Sequence, residues 1–355
     1  MRTWIFSLGQ RVDRVAEHAV YDELINRAVY AEELGYDGLF LAEHHFSNYS
    51  AIPYPLMLLA AASQRTERIR LGTAVVLLPL YNPMRLAEDV ATLDNLSDGR
   101  AEVVVGRGYA ALEFRGLDVD KSNSDSLMEE GLDILTKAWG QEEMDYQGKN
   151  WTIPTVTVIP RPFKETPPLW WAVGSKSSMA SALDRDLNVI CASAPGIKPG
   201  GHVDTTEAPH VDRMYSMYAQ ECSTRGIDPT GRRFGAQFAA HVSSDPSEVD
   251  RALAAAVWNH KLAGRLITDR QRIDRGFVDM SDTSDADLID NVPRQVLDDH
   301  WMICDPQTFE KKVEKYREMG VTDLSLNVGF GGMDDAAVRR SMELIANVLQ
   351  LRELV

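Results

Sequence analysis

Residues Ile69–Val105 read IRLGTAVVLLPLYNPMRLAEDVATLDNLSDGRAEVVV. The stretch opens with an apolar, β-branched run, Ile69–Leu77, of strand length. Asn82-Pro83 then starts a helix over Pro83–Leu96, with proline in the first turn, where its missing N–H costs nothing. Ser97-Asp98-Gly99-Arg100 is a tight turn, and Ala101–Val105 is a second buried strand. Strand, helix, strand within so few residues is a βα unit, and its strands are apolar enough to be covered on both faces. The same unit recurs on either side. Further strands are expected at Trp4–Leu8, Asp37–Ala42, Leu169–Val173, Leu187–Ala192, Phe234–Val242 and Thr322–Val328. Helices are expected at Val20–Leu34, Pro55–Arg65, Ser124–Trp139, Ser177–Arg185, Val211–Arg225, Pro246–His260, Pro306–Met319 and Asp334–Leu351. Eight strands, nearly all followed by a helix, predict an α/β fold with a parallel sheet closed as a (β/α)8 TIM barrel. A doubly wound open sheet is the competitor, but Leu8-Gly9-Gln10 does not make the glycine-rich dinucleotide turn that such a sheet carries early.

A barrel of this kind needs about 250 residues. The whole chain, 1–355, is therefore expected to be one barrel domain with insertions after strands 4, 6 and 7, at about 140–168, 195–210 and 261–300. The first suits an extra hairpin. The last is rich in Asp and Arg and weak in apolar period, which suits a lid over the barrel mouth.

Charge and composition exclude several functions. The chain carries 37 basic and 53 acidic residues, a formal charge of −16. Nucleic acid and anionic membranes are poor partners for such a surface. Apolar runs such as Met57–Ala62 are too short to span a bilayer. Cys191, Cys222 and Cys304 lie too far apart in sequence for a disulfide framework or a metal motif, so a reduced, cytoplasmic protein without a metal is expected. Any phosphate ligand must be held by locally arranged donors.

Barrel chemistry sits at the C-terminal ends of the strands. Those ends carry Glu43-His44-His45, Thr73-Ala74-Val75, Gly106-Arg107-Gly108-Tyr109, Gly174-Ser175-Lys176-Ser177-Ser178, His241 and Gly329-Phe330-Gly331-Gly332. Glycine and hydroxyls at a helix start present free N–H groups and the positive dipole end, which suits a phosphate, with Arg107 on the neighbouring strand as the fixed cation. The competing reading is that Ser175 and Ser178 only cap the helix. Adjacent residues on a strand point to opposite faces, so at most one of His44 and His45 faces the mouth to move a proton; both can equally be packing histidines. His18, His202, His210, His260 and His300 fall in helices or loops and are expected to be solvated.

Several of these stretches resemble the bacterial luciferase-like flavin monooxygenases. They are Glu43-His44-His45-Phe46, Arg68–Pro79, Asn82-Pro83, Leu86–Val90, Leu93–Arg100, Gly106-Arg107-Gly108, Asn327–Gly332 and Arg340–Leu344. The resemblance implies a (β/α)8 barrel that takes reduced FMN from a separate flavin reductase. It implies reaction with O2 through a 4a-hydroperoxyflavin to oxygenate a small organic substrate, in a homodimer. It makes His44 the active-site histidine with His45 beside it, and Glu113 an acidic neighbour of the flavin. Ala74-Val75 matches a non-proline cis peptide under the flavin ring. Gly106, Arg107, Gly108, Tyr109, Gly174, Ser175 and Ser178 match cofactor-binding positions, with Arg107, Ser175 and Ser178 on the phosphate.

Two departures stand out. Luciferase has a cysteine where this chain has Gly106. It also has a second arginine in the stretch matching Asn123-Ser124-Asp125-Ser126, here polar and acidic, where Lys176 is a candidate substitute. The alternatives on the same fold are a deazaflavin-dependent oxidoreductase transferring hydride, and a non-catalytic flavin-binding subunit.

Overall fold

A computed structural model describes residues 1–13, 16–195, 209–268, 272–281 and 292–354. Eight parallel strands form the wall: β1 (Arg2–Ser7), β2 (Gly38–Leu41), β3 (Arg70–Leu77), β4 (Ala101–Gly106), β5 (Leu169–Ala172), β6 (Asn188–Ala192), β7 (Phe234–Val242) and β8 (Asp323–Gly329). Each pairs with the next, and β8 pairs back onto β1, so the sheet closes as a (β/α)8 barrel. A ninth strand, Met302–Cys304, adds to the end of β7 outside that ring. Around the wall run α1 (Glu17–Glu33), α2 (Pro55–Ser63), α3 (Pro83–Leu96), α4 (Ala111–Gly116), α5 (Ser124–Gly140), α6 (Lys176–Asp184), α7 (His210–Arg225), α8 (Pro246–Thr268), α9 (Arg294–His300), α10 (Pro306–Met319) and α11 (Asp335–Val348).

Strand alternation divides the core in two. Ile5, Leu39, Leu71 and Val103 point outward under the helices, while Trp4, Phe40, Ala74, Val104 and Trp170 fill the barrel. Trp4 and Phe40 stack with centroids 4.1 Å apart. Gly38 makes the room, because a Cβ there would lie 2.0 Å from the Trp4 ring. The N-terminal end is plugged by ions: Arg233 pairs with Glu102 at 3.1 Å and with Asp323, and lies 4.3 Å over the Trp170 ring. Both tryptophan N–H groups donate to those carboxylates at 2.9 Å. This end is a stability device, which leaves chemistry to the opposite mouth.

The insertions differ in character. In 140–168, Met144–Gln147 pairs antiparallel with Thr152–Val156. Residues 196–208 of the second lie outside the described residues. The third, expected as a lid at 261–300, is corrected at both ends. Helix α8 does not stop near His260 but runs on to Thr268, because Trp258, Leu262 and Leu266 recur at helical spacing and pack on the apolar cluster of the mouth. Ile273–Asp274 then pairs with Phe277–Val278, and α9 buries Val296 and Leu297. Residues 269–271 and 282–291 are outside the described set. Three of the histidines expected in solvent are also inside: His300 is buried and shares a 2.8 Å hydrogen bond with the Val296 carbonyl, and His210 and His260 are half-buried, while His202 lies outside the described residues.

Candidate active site

Strand β2 ends at Leu41, so Glu43, His44 and His45 lie on the loop beyond it rather than on a pleat. The two histidines are separated not by strand alternation but by two buried carboxylates. His44 Nδ1 is 2.8 Å from Glu113 Oε1, on α4. His45 donates its backbone N–H to the same oxygen at 3.0 Å, and its Nε2 is 2.9 Å from Glu43 Oε1. The other Glu43 oxygen accepts from the Leu77 N–H at 3.2 Å and the Tyr81 hydroxyl at 2.9 Å. Burial pushes the Glu43 carboxyl above the usual carboxylate range, while His45, Tyr81 and the Leu77 N–H pull the other way. Glu43 thus ties the loop after β2 to the end of β3.

With Nδ1–H donated to Glu113, the nitrogen left for proton exchange is His44 Nε2. It faces the Tyr109 hydroxyl at 3.4 Å, and its ring packs edge-on against Tyr49 at 4.6 Å. Burial raises both phenols, Tyr49 to about 12. A chain therefore runs Glu113–His44–Tyr109, with Tyr49 against the imidazole. The second Glu113 oxygen is buried with no protein partner among the described residues.

The peptide bond Ala74–Val75 is cis. Val75 lies against Gly106 so closely that a Cβ on Gly106 would stand 2.6 Å from Val75 Cγ2. That contact accounts for glycine where luciferase has cysteine. Gly108 has φ +80°, a turn suited to glycine, between Arg107 and Tyr109.

The expected phosphate donors are placed less simply. Ser175 caps α6, accepting from the Ser178 N–H at 3.2 Å, and Ser178 Oγ accepts in turn from the Ser175 N–H at 3.2 Å. Ser175 is exposed and Ser178 half-buried, and nothing stands within 4 Å of where a Gly174 Cβ would be. Arg107 projects from the end of the adjacent strand β4 and pairs with Asp125, in the first turn of α5, at 2.6 Å. Among the described residues no hydrogen bond joins Arg107 to Ser175 or Ser178. Lys176 is paired with Glu221 at 3.3 Å. The structure thus gathers His44, His45, Glu113 and Tyr109, with Val75 packed on the same apolar cluster as Tyr109 and Gly106 against Val75. Arg107, Ser175 and Ser178 stand on neighbouring strand ends.

The sequence profile of the luciferase-like monooxygenases matches residues 1–323. The chain belongs to that family. Among its relatives is the oxygenase component of a flavin-dependent trigonelline monooxygenase from Acinetobacter baylyi, 28% identical over 193 residues, 53% of each chain. Among solved structures, monooxygenase RslO1 from Streptomyces bottropensis superposes with a TM-score of 0.81 at 23% identity, covering 99% of this chain and 100% of that one. The oxygenating constituent of 3,6-diketocamphane monooxygenase from Pseudomonas putida, solved with FMN, gives 0.75 at 20% identity over 98% and 97%. These structural likenesses show the fold. Within this luciferase-like chain, sequence reasoning assigned no role to Glu43, Tyr49 or Tyr81. Glu43 carried a signal, being an acid directly beside two histidines at a strand end. The tyrosines, on irregular stretches, carried none. Among the described residues no cluster of metal-ligating side chains occurs, and no helix is long and apolar enough to cross a membrane.

Proposed function

We propose that the chain is the oxygenase component of a two-component, FMN-dependent monooxygenase. On this reading it receives reduced FMN from a separate reductase and uses O2 to oxygenate a small organic substrate. The observation that carries the proposal is the Glu113–His44–Tyr109 chain, whose Tyr109 packs with Val75 on one apolar cluster at the barrel mouth.

The donor chemistry fits a flavin phosphate: the Ser175 and Ser178 hydroxyls and backbone N–H groups at the start of α6, open space at Gly174, and an arginine on the next strand end. Asp125 opposes it at Arg107, and an exposed pair of this kind is weak enough for a phosphate to draw Arg107 away. Bound reduced flavin supplies the electrons that activate O2. His44 handles a proton at Nε2, Glu113 holds the imidazole in the tautomer that frees it, and Tyr109 orients it. The apolar half of α8, with Leu262 and Leu266, keeps water from the mouth.

The test is an anaerobic titration with reduced FMN and, separately, with a reduced deazaflavin, followed by admission of O2. Preferential binding of reduced FMN, with O2 consumed at a rate that differs from free flavin, supports the proposal. Preference for the deazaflavin without O2 uptake would assign hydride transfer instead, and FMN binding with no effect on its oxidation would leave a flavin-binding subunit.

A further inference from the structure

Strands β7 and β8 close the ring opposite β3 and β4. Beyond their ends, a cavity of about 380 Å3 lies between α8 and the loop leading to α11. Trp258, Ala252, Ala255 and Met333 give it an apolar wall. His241 reaches it from the end of β7. That imidazole is 1% exposed, and neither Nδ1 nor Nε2 has a hydrogen-bond partner among the described residues. A buried polar side chain with both ring atoms unpaired is unusual and points to something that completes it.

The charges around it narrow what that is. Glu248 is satisfied, accepting from the Ser243 hydroxyl at 2.7 Å and pairing with Arg340. Asp334 is satisfied as the cap of α11, accepting from the Ala337 N–H at 3.1 Å. Burial holds His241 in its neutral form, with Arg340 and Arg251 adding to the effect and Glu248 opposing it, so it offers one N–H. Arg251, exposed on α8 and lining the same cavity, makes no ion pair among the described residues. The open capacity is thus donor-rich and cationic, beside an apolar wall. The volume equals roughly a dozen waters at about 30 Å3 each, the size of a molecule with one ring.

We propose that this cavity binds a small monocarboxylate, its carboxylate held by Arg251 and the His241 N–H and its apolar body against Trp258 and Met333. The site stands on these residues alone and does not depend on the flavin reading.

Benzoate is the probe, titrated calorimetrically into the full, flavin-free chain, with benzyl alcohol as its neutral counterpart. One saturable site with a Kd of roughly 1 mM or tighter is expected, and benzyl alcohol should bind at least about tenfold more weakly. Arg251→Ala, at an exposed position where folding is not at stake, should weaken benzoate by about tenfold or more and leave FMN affinity unchanged. His241→Ala should weaken benzoate similarly. Absence of benzoate binding, equal binding of the alcohol, or full benzoate affinity in Arg251→Ala would each overturn the site.

Discussion

Arg107 Nη1 lies 2.6 Å from Asp125 Oδ1, and both side chains are largely exposed. An exposed pair is worth about 0–1 kcal/mol, whereas a charged hydrogen bond to phosphate is worth about 1.5–3 kcal/mol. Arg107 therefore has more to gain from a phosphate than from Asp125, but the carboxylate stays close by and repels it. Asp125→Asn should tighten FMN binding by roughly two- to fivefold. Arg107→Ala should weaken it by roughly tenfold to a hundredfold. Fluorescence titration measures both. Weaker binding in Asp125→Asn would show that the carboxylate positions Arg107 for the cofactor rather than competing with it.

His44 is held between a carboxylate and a phenol, so removing it separates proton handling from folding. His44→Ala leaves Glu113 still bonded to the His45 N–H. The buried carboxylate loses one partner, so stability should fall by about 1–3 kcal/mol, while the chain still folds and binds FMN. General acid–base help is worth about 10²–10⁴-fold, and product formation should fall by that factor while hydrogen peroxide accumulates. Wild-type coupling between flavin oxidation and product in this variant would remove His44 from the chemistry and pass the role to His45.

The contact between Gly106 and Val75 predicts a pairwise effect. Gly106→Cys places a Cβ 2.6 Å from Val75 Cγ2, and overpacking of this kind costs about 1–3 kcal/mol. Val75→Ala removes that atom. The double variant Val75→Ala/Gly106→Cys should recover most of the loss, giving a coupling of about 1 kcal/mol or more in a denaturation cycle. Additive single-variant effects would mean that the part of β3 carrying Val75 moves aside at no cost, and Gly106 would then have another reason.

These three sites mark how far the sequence could be read. The eight wall strands were legible because buried parallel strands are continuous apolar runs, and glycine, proline and asparagine punctuated the helices. The length of α8 was not, since Lys261, Arg265 and the acidic stretch beyond masked the repeat Trp258, Leu262, Leu266. That repeat matters only because the barrel mouth offers an apolar surface to receive it. The site's residue types were visible at the strand ends. Their partners were not: that Glu113 serves His44, and Asp125 meets Arg107, depends on how α4 and α5 dock, which no local pattern encodes. Capping and phosphate binding use the same serines, so spacing alone could not separate them.

Buried histidines set the acid side of stability. Burial lowers His260 from 6.5 to about 4, with His300 adding to the shift. His210 and His241 are lowered in the same direction, again chiefly by burial. A folded-state value below the unfolded one means that the unfolded chain binds more protons in the interval between them. The stability from these groups is therefore complete above about pH 6.5 and is lost as pH falls towards about 4. The carboxyls of Asp37, Glu43 and Asp94, raised by burial, act with the opposite sign, and their window opens from the ordinary carboxyl values upward. A single substitution isolates the histidine part. His260→Gln keeps the size and a neutral polar group, so it should change stability little at pH 7. Between pH 7 and pH 4.5 it should lose roughly 2–3 kcal/mol less than the wild type. Urea denaturation at stepped pH gives both curves. Parallel curves would mean that His260 takes up its proton in the folded chain as readily as in the unfolded one, through water reaching the contact with Trp301, whose ring lies 6.3 Å away.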